Sequence, residues 1–465
     1  MTGTRLIPAE QSVACAINRA AGGRPVPGNR VDLLIDGPES YHAMLEAIAQ
    51  AKQWVHFENY IIRSDSAGWR FAELLARRAR EGIHVRVLYD WFGSLGTSRG
   101  YWRYLRDAGV EVRSFHPPQL VDMVTNISRN HRKLVVADGS RAILGGLCIG
   151  CEWTGENHHG GQPWRDTAVE IRGPAAAVLD QTFVNLWELT GARVPPDQIA
   201  GVVAPVGSAE VRVISGEPGR ERAYRVIELL AVGSVQRLWI TDAYLVAPPR
   251  LFQALRDSAR DGVDVRLLVP GSSDVPLIRN LSRIGYRDLL RSGVRIYEWD
   301  GPMLHAKTMM CDNRWVRIGS SNLNPSSLLG NYELDVLIED ADLAQAMEDQ
   351  FRHDVARSRE VASRPLRGPR RISQALPVAL THQHAAAPAV YQRSGREARR
   401  RAALVLRAVA SHARRSVFIP ISAIFVALGL LLVALPKISA YVLAAVCAWV
   451  AVGAGREAFR RRADR

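Results

Sequence analysis

Cysteine is scarce in this chain: five residues in 465 (Cys15, Cys148, Cys151, Cys311 and Cys447), odd in number and scattered. That distribution excludes a disulfide framework and fits a reducing compartment. Cys148 and Cys151 form one Cys-x-x-Cys without a second pair, so a zinc or redox centre is not indicated and both read as small buried residues. No signal peptide is evident at the amino terminus, which keeps the body of the protein on the cytoplasmic side. Wholesale disorder is excluded by an apolar content of 47%, and the length exceeds what one hydrophobic core usually supports. Acidic excess is lacking too. The net charge of +14 implies an anionic partner without distinguishing nucleic acid from anionic lipid.

What is present is a repeated cluster of chemically useful side chains. His131-Arg132-Lys133 with Asp138 returns as His305-Ala306-Lys307 with Asp312, the spacing unchanged. A glycine follows each histidine at the same distance (Gly145, Gly319), and the intervening Leu134-Val135-Val136-Ala137 and Thr308-Met309-Met310-Cys311 read as buried strands. On a strand, residues i and i+2 share a face, so each histidine projects with its lysine. Two imidazoles and two ammonium groups can then converge on one anion.

Around these clusters the order of elements repeats as well. Val31 to Ile35 reads as a strand. Tyr41, Met44, Leu45 and Ile48 have helical spacing, a strand runs from Trp54 to Ile62, a helix from about Ala67 to Arg80, and Val85 to Leu88 is a further strand. The second half answers with strand Val211 to Ile214, a helix carrying Ala223, Val226, Ile227 and Leu230, strand Leu238 to Tyr244, helix Arg250 to Arg260 and strand Val263 to Val269. Ala79-Arg80-Glu81-Gly82 is echoed by Ala259-Arg260-Asp261-Gly262, with glycine ending each helix. The expectation is an internal duplication of α/β units, each with its own sheet: residues 31–205 and 206–360, joined near Pro195 to Pro205, after a flexible segment 1–30.

Residues 361–395, rich in Ala, Pro, His and Gln, read as a linker. Residues 396–416 read as a basic amphipathic helix for an anionic membrane surface. Val417 to Leu435 and Ile438 to Ala454 are free of charge, and Arg414, Arg415 and Arg456 bracket them. Nineteen residues make a helix of about 28 Å against a hydrocarbon core of about 30 Å. The pair therefore reads as a transmembrane hairpin, residues 417–454, with both arginine-rich flanks, including the tail 455–465, in the cytoplasm.

Asn130-His131-Arg132-Lys133-Leu134-Val135-Val136, Trp164-Arg165-Asp166, Leu304-His305-Ala306-Lys307 and Gly319-Ser320-Ser321-Asn322-Leu323-Asn324-Pro325 together resemble the phospholipase D superfamily, and within it the bacterial cardiolipin synthases of the B type. The resemblance spans about Val31 to Glu360. It implies two α/β/α sandwich repeats about a pseudo-twofold axis, a site between them, and no metal or other cofactor. It also implies transfer of a phosphatidyl group through a phosphatidyl-histidine. Its partners would be anionic phospholipids (phosphatidylglycerol, cardiolipin), with phosphatidylethanolamine a candidate acceptor, at the bacterial inner membrane, and no nucleic acid.

The chemistry asks for such a pair, because a phosphodiester repels nucleophiles and its leaving alkoxide is strongly basic. The resemblance makes His131 the nucleophile and His305 the acid, though the residues themselves leave that assignment open. Lys133 and Lys307 would hold the phosphate oxygens, assisted by Asn322. Asp166 and Glu333 stand where the family carries a carboxylate that orients the imidazole, each assigned to the histidine of its own half. Asp138 and Asp312 complete the catalytic motifs, yet end their strands on the turn side and are expected to hold the turn. Two positions depart from the family: Cys148 stands where Asn is usual, and Asn324 where Asp is commoner. A phosphodiesterase or nuclease using the same site, or an inactive membrane scaffold, are the rival readings; the hairpin weighs against the nuclease and the intact His-Lys pairs against the scaffold.

Overall fold

The structure, a computed structural model, describes residues 9–116, 128–156 and 161–362. The expected linker from residue 363 on, the amphipathic helix, the hairpin 417–454 and the basic tail lie outside the described residues. Among the described residues no helix is long and apolar enough to cross a membrane.

After α1 (Ala9–Ala21), the first half runs β1 (Val26–Ile35), α2 (Asp36–Gln50), β2 (Trp54–Asn59), α3 (Ser66–Arg80), β3 (His84–Asp90), α4 (Arg99–Asp107), β4 (Glu111–Phe115), β5 (Leu134–Ala137), β6 (Arg141–Gly145), α5 (Cys151–Thr154), β7 (Thr167–Arg172) and α6 (Pro174–Glu188). The second half runs β8 (Ala209–Gly216), α7 (Arg222–Gly233), β9 (Arg237–Thr241), α8 (Pro249–Arg260), β10 (Asp264–Pro270), α9 (Pro276–Arg291), β11 (Arg295–Trp299), β12 (Thr308–Cys311), β13 (Trp315–Gly319), β14 (Glu333–Glu339), α10 (Ala341–Ala356) and β15 (Ser358–Glu360). Three helices start at side-chain caps: the carboxylate of Asp65 accepts from Gly68 N at α3, and Ser98 and Asp340 serve α4 and α10 likewise.

The strands do not form two sheets. They make one 15-stranded sheet in the order β15-β11-β10-β9-β12-β13-β14-β8-β1-β7-β6-β5-β2-β3-β4. From the β8–β1 seam outward the order of equivalent strands is the same on both sides, with β15 added at one edge. The seam is antiparallel and irregular between Val26 and Asn29. There the buried Asn29 amide donates to Val26 O (2.7 Å) and Ala209 O (3.2 Å), while its oxygen accepts from Ala175 N (2.8 Å). One side chain thus ties β1 to β8 and to the start of α6. The expectation of separate sheets failed because β1 has two edges, and a strand's own residues do not say what pairs with the second.

Side-chain alternation builds three layers. Along β2, Val55 and Phe57 join the core under α2, α3 and α4, while His56 stacks on Phe183 of α6 on the opposite face. The α6 and α10 side is one continuous core drawn from both halves, with Val169, Leu179 and Trp187 from the first and Trp239, Val316 and Phe351 from the second. A third cluster under α7 and α8 includes Ile17, Ala20 and Ala21. Residues 9–21 are therefore a helix docked on the second half, where a flexible entry segment was expected. Its only large apolar residues are Val13 and Ile17, and their burial depends on a surface far along the chain.

Candidate active site

Both motifs enter as extended segments just ahead of a short strand, not within it: Lys133 directly precedes β5, and Lys307 precedes β12. Alternation still holds. Arg132 turns away from its neighbours, donating across to Ser215 Oγ (2.8 Å) of the other half and to Thr182 O (3.2 Å) on α6 of its own.

Each histidine is strapped by its backbone to the half that does not contain it. Asn130 bridges Tyr332, and His131 N donates to Tyr332 O (2.9 Å); Leu304 bridges Arg165, and His305 N donates to Arg165 O (2.7 Å). The residue following each strap partner is a carboxylate. His131 Nδ1 consequently meets Glu333 Oε2 at 3.0 Å, and His305 Nδ1 meets Asp166 Oδ2 at 2.7 Å. Asp166 was expected to serve His131, and Glu333 to serve His305; the structure exchanges them. Sheet spacing gives the reason. β5 and β7 flank β6, as β12 and β14 flank β13, so a histidine and its own half's carboxylate stand about 10 Å apart.

The two carboxylates are packed differently. Glu333 accepts from Ser320 Oγ (2.5 Å) and Ser327 Oγ (2.5 Å) besides His131. Asp166 accepts from Trp153 Nε1 (3.0 Å) and from Thr167 N (2.8 Å). Gly146 stands in the first half where Ser320 stands in the second, and a Cβ there would lie 2.1 Å from Asp166 Oδ1. Burial raises the pKa of both acids. For Asp166 the adjacent His305, then Lys307, outweigh it and hold the group down at about 2; His131 and Lys133 likewise leave Glu333 below its usual value. Both are ionised and can only accept, so each Nδ1 carries the proton and each Nε2 presents a lone pair.

Burial lowers the histidines. His305 falls to about 4, with Lys307 adding to the effect; His131 falls through burial and the Lys133 charge, against the pull of Glu333. The resting site therefore holds two neutral imidazoles. Lys133 and Lys307 are fully buried, and each donates to the carbonyl of its motif's histidine. Burial lowers both, Lys307 to about 8. Each histidine feels the lysine of the other half as well as its own, which brings the four groups to one locus. The whole chain has only four lysines among 60 basic residues, and two of them are here.

Asp138 and Asp312 lie away from this locus. Asp138 adopts a positive φ of 51° and accepts the backbone N–H groups of Lys52, Gln53 and Trp54; Asp312, at 52°, does the same for Val235, Gln236 and Arg237. They are anchors that hold β5 on β2 and β12 on β9, not part of the catalytic set. Asn322 is buried, donates its backbone N–H to Ser327 Oγ (2.9 Å), and has an Oδ1 with no hydrogen-bond partner among the described residues. Cys148 occupies the corresponding place, buried; burial raises its thiol pKa against the pull of Lys133, so it stays protonated. Asn324 bonds within its own turn, accepting from Ser327 N (3.0 Å) and donating to Tyr244 O (3.3 Å).

Sequence reasoning missed the aromatic walls. The Tyr60 ring lies 4.9 Å from His131 and the Tyr244 ring 6.1 Å from His305; Trp153 and Trp164 lie 5.5 and 5.7 Å from His305. The tyrosines follow β2 and β9, the neighbours of the motif strands, and only the sheet order reveals that adjacency. No group of three or more His, Cys, Asp or Glu suited to a metal occurs among the described residues.

The family model described as "Cardiolipin synthase, PLD-like domain" matches residues 44–187 and 227–355. Cardiolipin synthase A of Pseudomonas entomophila is 34% identical over 348 residues, covering 74% of this chain and 72% of the relative. Cardiolipin synthase of Geobacillus kaustophilus is 34% identical over 345 residues, covering 71% and 68%. Among solved structures, the phosphatidylserine synthase of Haemophilus influenzae aligns with a TM-score of 0.58 at 17% identity, covering 75% of this chain and 92% of that one, a likeness of fold.

Proposed function

Since this chain belongs to the family of cardiolipin synthases with a phospholipase D-like domain, we propose that it is a phosphatidyltransferase making cardiolipin from phosphatidylglycerol and a second phospholipid. The observation that carries this reading is the pair of buried His-carboxylate contacts, each across the two halves, beside two buried lysines.

A charge count supports the chemistry. Two lysines and two carboxylates sum to zero, so a bound phosphodiester anion leaves room for one proton shared between the imidazoles. That is the state the reaction needs: one histidine neutral and nucleophilic, the other protonated. His131 Nε2 attacks phosphorus, the P–O bond to the leaving alcohol breaks, and His305 Nε2–H gives that oxygen its proton. A phosphatidyl group is then bonded to His131. In the second step His305 takes the proton from the incoming lipid hydroxyl, whose oxygen attacks phosphorus as the P–N bond breaks. Lys133 and Lys307 stabilise charge on the non-bridging oxygens, joined by Asn322.

The halves are related by a pseudo-twofold axis through the site. Residues 417–454 form the membrane anchor at the bacterial inner membrane, 396–416 an interfacial helix, and the catalytic part is cytoplasmic. Phosphatidylethanolamine is a candidate second substrate.

The test uses purified full-length protein, labelled phosphatidylglycerol and chelator, with products followed with and without phosphatidylethanolamine. Cardiolipin with release of glycerol is expected. Phosphatidic acid as the sole product would make the protein a hydrolase, and turnover that vanished in chelator and returned with magnesium would remove the two-histidine mechanism. Truncation after Glu360 should give protein that an alkaline wash releases from the membrane fraction and that still turns over detergent-dispersed substrate.

A further inference from the structure

Two exposed apolar features stand astride the histidines, one from each half. Phe92 and Leu95, 58% and 62% exposed, sit on the turn after β3. Leu277, Leu281 and Ile284, 68%, 38% and 65% exposed, fall at i, i+4 and i+7 on α9, which follows β10. β3 and β10 are parallel strands, and both features leave their carboxyl ends, the edge at which α/β sheets place their sites.

Each is fixed to the site by specific contacts. Asp90 Oδ1 accepts from Phe92 N (2.9 Å) and Gly93 N (3.0 Å) while its Oδ2 accepts from Asn130 N (2.9 Å), the neighbour of His131. Gly93 packs so closely on Tyr60, whose ring abuts His131, that a Cβ would lie 2.3 Å from Tyr60 O. On the other side Tyr244 Oη donates to Asp274 Oδ1 (2.8 Å), two residues before α9. The residues that follow Tyr244 in the chain, Leu245 and Val246, line with Phe252 and the α9 residues Leu281 and Ile284 an apolar groove of about 200 Å³.

The surroundings are basic. Arg129 lies with its guanidinium 5.9 Å from the Phe92 ring, and Arg287 and Arg291, exposed on α9, form no ion pair among the described residues. Asp288 ends the apolar line, so the two turns nearest the site carry it.

We propose that this rim is a membrane-docking surface of the catalytic part itself. Phe92, Leu95, Leu277, Leu281 and Ile284 enter the acyl region of an anionic bilayer, the arginines meet lipid phosphates, and the mouth is held against its substrate. Apolar side chains beside arginines match an anionic interface, where each alone would bind weakly. Continuity with a site for phospholipid chooses the bilayer over a second protein. The proposal rests on the function read above, and its first test requires no turnover, so the two can fail separately.

Full-length protein in a Cys15→Ser, Cys151→Ser, Cys447→Ser background, carrying a fluorophore on Leu95→Cys, Ile284→Cys or, as control on α10, Gln345→Cys, is reconstituted in vesicles of phosphatidylglycerol and phosphatidylcholine. Quenching by lipids brominated on the acyl chain is expected at 95 and 284 and not at 345. Absence of quenching at both, or contact between copies through these positions, overturns the proposal. In the second test, L281D/I284D should lose about tenfold or more on vesicle substrate, given the apolar area removed, and stay within about twofold on monomeric short-chain phosphatidylglycerol. Equal losses on both substrates would make the face structural and overturn it as well.

Discussion

Asp166→Asn should disable a histidine of the other half. Asp166 is fully buried, and its pKa falls from 3.8 to about 2, largely because His305, and then Lys307, offset the cost of burial. That fall corresponds to roughly 60-fold, as the least the amide forfeits. The amide also offers an N–H where Nδ1–H must donate, which favours the wrong tautomer; in comparable His-Asp pairs that costs about 10⁴-fold. A loss between these limits is expected on phosphatidylglycerol. The discriminating assay adds a phosphatidyl ester of p-nitrophenol, whose leaving group departs without a proton. With His305 as the acid, His305→Ala and D166N should both recover most of the p-nitrophenol burst, whereas His131→Ala and Glu333→Gln should both stay impaired. The pairing makes D166N behave like H305A and E333Q like H131A. If D166N instead followed H131A, the exchange of carboxylates between halves would be refuted, whichever histidine is the nucleophile.

Burial holds His305 at about 4 against about 6.5 when unfolded, so between those values the unfolded chain binds more protons and stability is lost as pH falls, by about 3 kcal/mol for this group; denaturant midpoints should show the slope, and His305→Asn should flatten it, an unchanged curve contradicting the assignment. Gly146→Ser copies the second half into the first, but its Cβ would lie 2.1 Å from Asp166 Oδ1; activity should fall at least about 10²-fold with little change in melting temperature, because the clash falls on the carboxylate that orients His305, and a fully active variant would show that the two carboxylate pockets are interchangeable. Cys148→Asn supplies the amide that Asn322 supplies opposite and should keep activity within about threefold in the same assay, since the buried thiol is protonated and inert; inactivation with loss of bound metal would revive the metal reading of Cys148 and Cys151.

The duplicated His-x-Lys clusters, the strand and helix periods and the family resemblance were legible along the chain, because each is written in local spacing. The carboxylates were legible as residues and not as partners. Asp166 and Glu333 lie at suitable distances from the histidines of their own halves in sequence, but the intervening β6 and β13 separate them in space. Hydrogen bonds between segments far apart in the chain leave no periodic trace. The same holds for Asn29, whose amide closes the seam, and for α1, whose large apolar residues find their cover on α7. Asp138 and Asp312 show the converse: motif members by spacing, they serve the backbone of a neighbouring strand.

The crossed straps bear on how such a chain can have arisen and how it can change. A lone half would own an imidazole and a carboxylate that cannot meet, yet two copies of it face to face would complete both contacts. The chain thus behaves as a tethered pair whose halves are free to differ in sequence but not free to stop matching each other across the site. Gly146 with Asp166 on one side, and Ser320 with Glu333 on the other, record two separate solutions. Inheritance of either pocket must be concerted with the histidine of its opposite half, so a recombination breakpoint placed between the halves would sever both pairs at once, together with the β8–β1 seam and the core that the halves share.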